Sequence, residues 1–169
     1  MKKLFFLFSA FFGFYLVSNA QPLSIGVNGT ASFSNMQYNV SEAGMDFASS
    51  LESESQLYIN IEYTSIWDKW FNPNTKWKIN IQKTDVNWHP DIVIETKRTG
   101  NGNRPWYGQG SVNIHDGVTY QAITNTPTYF FRGRNEILNI PVSIKLSGIS
   151  LVMGAQDFET NILLTVYED

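Results

Sequence analysis

Leu138-Asn139-Ile140-Pro141-Val142-Ser143-Ile144-Lys145-Leu146 is the longest alternating stretch of the chain. Leu138, Ile140, Val142, Ile144 and Leu146 share one side of an extended backbone, because successive side chains of a strand point to opposite faces. One apolar face and one mixed face is the pattern of a half-buried antiparallel strand. Pro141 has no N–H to give a neighbour, which predicts an edge position or a bulge at that point.

The same period recurs outward from there. Leu57, Ile59, Ile61 and Tyr63 alternate with Tyr58, Asn60 and Glu62, and Trp77, Ile79 and Ile81 alternate with Lys76, Lys78, Asn80 and Gln82. Near the C-terminus Ile162, Leu164 and Val166 share a face, with Leu163 and Tyr167 opposite. Between the runs lie Asn72-Pro73-Asn74, Gly100-Asn101-Gly102-Asn103, Gly108-Gln109-Gly110 and Asp116-Gly117, which supply the turn geometries that strands cannot adopt. Helical signals are scarce, and Ser41–Ser55 alone reads as a short helix or irregular loop. Seven to nine strands with no linker and no repeat predict an all-β chain, a single immunoglobulin-like antiparallel β-sandwich. A closed barrel is the competing architecture.

The N-terminus says where this sandwich works. Met1-Lys2-Lys3 is a short positive segment, Leu4–Val17 is an apolar run, and Ser18-Asn19-Ala20 places small residues at a cleavage site. Crossing a bilayer takes about 20 apolar residues, more than this run offers. The expectation is a signal peptide over residues 1–20 and a domain over 21–169, exported to the periplasm, cell surface or extracellular space. That length buries a core without staples. The absence of cysteine leaves packing alone to hold the domain and removes lipoprotein anchoring, thiol catalysis and thiolate metal sites.

Without Lys2 and Lys3 the twelve basic residues fall to ten against fifteen acidic, a balance of −5. No long run of either sign occurs, which argues against nucleic acid and against an anionic membrane surface. His89 and His115 are the only histidines, each near an aspartate (Asp91, Asp116), and they read as turn residues rather than metal ligands. Asp85-x-Asn87 lacks the glycine and distal glutamate of a calcium loop. No Gly-x-Ser-x-Gly elbow is present. No metal, no cofactor and no catalytic residue is expected, and the chain does not read as an enzyme.

Aromatic residues make up 15% of the chain, with five tryptophans. Trp77 alternates with Ile79 and Ile81 and reads as core. Trp67, Trp70 and Trp106 fall near turns, where aromatic faces either cap a core or stack on sugar rings.

Immediately behind the cleavage site Leu23, Ile25, Val27, Gly29, Ala31 and Phe33 alternate, and Thr160–Tyr167 ends the chain with similar character. Both ends resemble the β-sandwich subunits of chaperone–usher pili. Asn139–Asp169, with Ile140-Pro141-Val142 leading to a Thr-bearing last strand, also resembles spore-coat-U-like secreted domains. Ser41-Glu42-Ala43-Gly44, Arg98-Thr99-Gly100-Asn101-Gly102 and Asn19-Ala20-Gln21 resemble small secreted proteins of the Bacteroidetes type. The pilin resemblance implies that residues 21–35 serve as a donor strand, with Leu23, Ile25, Val27, Gly29 and Phe33 filling a neighbouring subunit by strand addition. The plainer reading makes residues 23–33 the first strand of a self-contained sandwich. The expected function is an exported, non-enzymatic structural or adhesive protein that partners other subunits or itself. The alternative is a secreted carbohydrate-binding module that holds polysaccharide through Trp67, Trp70 and Trp106.

Overall fold

A computed structural model describes residues 22–33, 50–53, 56–71, 74–106, 112–150, 153 and 157–169; the expected leader and most of Ser41–Ser55 lie outside them. Ten strands and one short helix follow among the described residues: β1 (Leu23–Asn28), β2 (Ser50–Glu52), β3 (Leu57–Tyr63), α1 (Ile66–Phe71), β4 (Lys76–Asn87), β5 (Val93–Arg98), β6 (Asn113–His115), β7 (Gln121–Ala122), β8 (Thr128–Arg134), β9 (Ile137–Ser147) and β10 (Glu159–Glu168). All pairings are antiparallel. One sheet runs β1-β3-β9-β5-β7, with β2 also on β9, and the other runs β10-β4-β8-β6. The two pack face to face as an all-β sandwich.

The alternating positions read from sequence supply the core. Ile59, Ile61, Ile94, Ile140, Val142 and Ile144 come from the first sheet, and Trp77, Ile79, Ile81, Phe130, Phe131 and Val166 from the second. Each such side chain contributes about 1.5–3 kcal/mol when fully buried. Phe130 and Phe131 both face inward, which a register shift between Ile79 and Asn80 of β4 allows. Phe131 meets Trp77 edge-on at 6.0 Å, and Trp77 donates its ring N–H to the Asn135 carbonyl at 2.6 Å.

β9 is the central strand of its sheet, not an edge as Pro141 suggests. The physical reason lies in where the missing N–H points. The Pro141 carbonyl accepts from Thr99, one residue beyond the end of β5. Because N and O of one strand residue point the same way, the lost donor falls where that ladder has already stopped. A bulge does sit just ahead, at the register shift between Ile59 and Ile61, where Asn139 adopts a φ of 53°. The bulge turns Ile137, rather than Leu138, fully into the core.

Among the described residues a short helix, α1, forms in a segment that carries no helical period, while most of Ser41–Ser55 lies outside them. One other expectation changes. The last strand buries Val166 and half-buries Leu164 but leaves Ile162 exposed, because its first half pairs with β4 beyond the end of β8. Among the described residues no helix is long and apolar enough to cross a membrane.

Candidate functional site: the aromatic end of the sandwich

The β8–β9 turn, which carries the chain from one sheet to the other, closes one end of the molecule, and Asn135 organises it. With φ at 60°, Asn135 accepts from the Tyr63 hydroxyl (3.3 Å) and the Asn74 N–H (2.9 Å) through its side chain. Its own N–H donates to the Thr75 carbonyl at 2.8 Å. Both connections around α1 are thereby tied to one turn.

α1 is too short to be stable alone, and its charged residues hold it in place. Ser65 accepts from the Asp68 N–H at 3.1 Å and donates to the Asp68 carboxylate at 2.7 Å, while the Thr64 hydroxyl donates to the same carboxylate at 2.9 Å. Lys69 pairs with the largely buried Glu136 carboxylate of the β8–β9 turn at 2.8 Å. With Asp68 and Lys69 so engaged, the four apolar side chains are left outside. Ile66, Trp67, Trp70 and Phe71 are 67%, 69%, 72% and 76% exposed, and the Trp67 and Phe71 rings stack at 6.2 Å with an interplanar angle of 20°. Scattered exposed apolar residues are ordinary, but four on one six-residue helix make a concentrated apolar patch.

Trp106 stands at the same end, on a segment fixed to the start of β9. Asn103 and Leu138 exchange two backbone hydrogen bonds of 2.6 and 2.7 Å. Gly102 has a φ of 71° and lies so close to Leu138 that an added Cβ would sit 2.6 Å from its carbonyl. Arg98 braces the segment from below. Buried to 5% exposure, it donates to the Gly100 carbonyl (2.7 Å), the Asn101 side chain (2.6 Å) and twice to the Asp116 carbonyl (2.9 and 3.1 Å). Burial pulls its pKa below the ordinary value, an effect partly offset by the Asp116 charge. Trp106 itself is 93% exposed.

The structure thus brings Trp67 and Trp70 onto one helix and Trp106 to the same end of the sandwich. Trp77 is core, and Trp88 is half-buried with its N–H on the Ile92 carbonyl at 2.8 Å. The residues expected to pair by strand addition lie in or just after β1, which pairs along its whole length with β3 of the same chain. Leu23 is buried, Ile25 and Phe33 pack partly against the core, Val27 is exposed, and Gly29 ends the strand at a φ of 94°. His89 lies beyond the far end of β4 while His115 is opposite Arg132 near its start, roughly 30 Å of strand away. Sequence reasoning missed Arg98, Asn135 and Glu136. Asn135 alone carried a local signal, being a residue that tolerates positive φ between two strands.

The fold and this end together define a β-sandwich with exposed aromatic side chains at one end. No family model, no curated protein and no solved structure matches the chain.

Proposed function

We propose that the protein is an exported, non-enzymatic adhesive domain of the cell surface or extracellular space, holding polysaccharide with its aromatic end. The observation that carries this reading is the run of four large apolar side chains on α1, each at least two-thirds exposed. The stacked Trp67 and Phe71 rings, with Trp70 beside them and Trp106 on a braced loop, offer flat faces to the C–H faces of sugars. Export rests on the leader-like residues 1–20. Titration of residues 21–169 with a neutral β-glucan, read by tryptophan fluorescence, is expected to saturate. The change should vanish when Trp67 and Trp70 are both replaced by alanine. A folded protein whose fluorescence no neutral polysaccharide alters would overturn the reading.

Pilin-like assembly by strand addition is a second reading, favoured by one observation. β10 presents a ten-residue outer edge that no described strand covers, side by side with β1. It requires β1 to leave β3 and join a neighbour. Light scattering across a concentration range separates the two readings. Oligomers that disappear on deletion of residues 21–35 support strand donation, whereas a monomer that unfolds on that deletion makes β1 its own first strand.

A further inference from the structure

On the outer face of the four-stranded sheet two rows of cations lie toward solvent. Lys76 is directly opposite Arg134, and Lys78 directly opposite Arg132. β6 extends each row, placing Asn113 opposite Arg134 and His115 opposite Arg132. Like charges directly across a strand pair are destabilising, and here two successive pairs are alike in a chain with an acidic excess. Elsewhere Lys69, Lys83 and Lys145 meet carboxylates closely, at 2.8, 2.5 and 2.6 Å. On this face the contacts are loose. Lys78 reaches Asp169 at 3.3 Å and Arg132 reaches Asp116 at 3.5 Å, all well exposed, and Lys76 and Arg134 have no ion pair among the described residues.

These residues surround a shallow cleft of about 180 Å³ that opens over Gly133, with Lys76, Asn113, His115, Arg132 and Arg134 around it. The Asp169 carboxylate is at its rim, so the cleft already accommodates one carboxylate of the chain. Two exposed tyrosines share the outer face beyond the lining of the cleft: Tyr167 opposite Lys78, and Tyr129 opposite Asn80.

We infer that this cleft is a binding site for an acidic saccharide, whose carboxylates meet the paired cations and whose ring lies against Tyr167 or Tyr129. Guanidinium groups take carboxylates in a two-point fork, and aromatic faces take sugar rings. The four cations occupy two rows on two strands, about 7 Å by 5 Å, and Asn113 and His115 continue the rows on a third, which suits one or two sugar units. A polyphosphate strand would need a longer basic track. The site is independent of the tryptophans of α1.

The test is calorimetric titration of residues 21–169 with oligogalacturonate, a neutral β-glucan oligomer and single-stranded oligothymidylate. Oligogalacturonate should bind, and more weakly as salt rises from about 50 to about 300 mM. The Lys76→Gln/Arg134→Gln variant should weaken it by at least about tenfold, while Trp67→Ala/Trp70→Ala should leave it unchanged. Both cations are on the surface, and removing them relieves repulsion, so the variant should melt no lower than the parent. Absence of oligogalacturonate binding, equal binding by the glutamine variant, or tighter binding of the oligothymidylate would each overturn the inference.

Discussion

Trp77 and Trp70 are one loop apart in the chain and occupy opposite environments. Trp77 has no exposed surface, while Trp70 keeps 72% of its surface in solvent. The first sits on an inward position of β4, packs against Phe131 and satisfies its N–H on the Asn135 carbonyl. The second sits on a helix capped locally by Ser65 and Asp68 and linked to the β8–β9 turn by the Lys69–Glu136 pair, and its ring faces solvent. A buried tryptophan needs both a cavity-filling position and an acceptor; these two residues show what each outcome costs and leaves available.

The largest expected effect falls on the buried member. Trp77→Ala should destabilise the domain by about 3–5 kcal/mol, measured by urea unfolding at constant m-value. Next comes Gly133→Ala. A Cβ there would lie 2.4 Å from the Trp77 ring, so the ring or the strand must move, and overpacking of this kind costs about 1–3 kcal/mol. The penalty should shrink when Trp77 is phenylalanine, because the atoms in the way are those of the indole. Equal penalties in both backgrounds would show that the glycine serves the backbone and not the ring.

Tyr129 is an intermediate case, with a ring 42% exposed and a hydroxyl that donates to the Asp116 carboxylate at 2.5 Å. Burial first, and then that hydrogen bond and the nearby negative charge, push its pKa up to about 12. The folded protein therefore keeps a proton that the unfolded chain loses near pH 10. Stability should be fully present below pH ~10 and fall as pH rises toward about 12, by an amount reduced by the ring's exposure. Tyr129→Phe should flatten that decline in a pH series of melting curves. An identical decline in the variant would assign it to other groups.

Period-two alternation made the core legible, because Trp77, Ile79 and Ile81 can share one face only in a strand. It read Leu138 as inward, yet Ile137 is the fully buried neighbour, since a bulge at Asn139 is a local backbone choice with no alternating signature. Pro141 misled for a related reason: whether a lost N–H matters depends on where the neighbouring strand ends. The candidate sites were less legible still. Trp67 and Trp70 could be marked as near a turn, but six residues are too few for a helical period to show which side faces in. The cations of the cleft are dispersed along the sequence and meet only through the β4–β8 register. Arg98 reads as one charge among many, until its burial on the Gly100 and Asp116 carbonyls makes it a brace for the loop that carries Trp106.

The smallest expected effect on stability belongs to the exposed member, and it is the most informative. Trp67→Ala and Trp70→Ala remove large side chains that bury little surface, so each should change unfolding free energy by about 0.5 kcal/mol or less. The helix keeps its Ser65–Asp68 cap and its Lys69–Glu136 pair in both variants, and alanine is the best helix former. A residue that contributes so little to folding while exposing so much apolar surface carries a solubility liability, which a contact surface explains. The measurement is a parallel one, unfolding and polysaccharide titration on the same preparations. Unchanged stability with lost binding would separate the two tryptophan environments by function as cleanly as the fold separates them by burial. A loss of more than about 2 kcal/mol would mean that α1 packs more closely than its exposure indicates, and would return Trp67 and Trp70 to the core alongside Trp77.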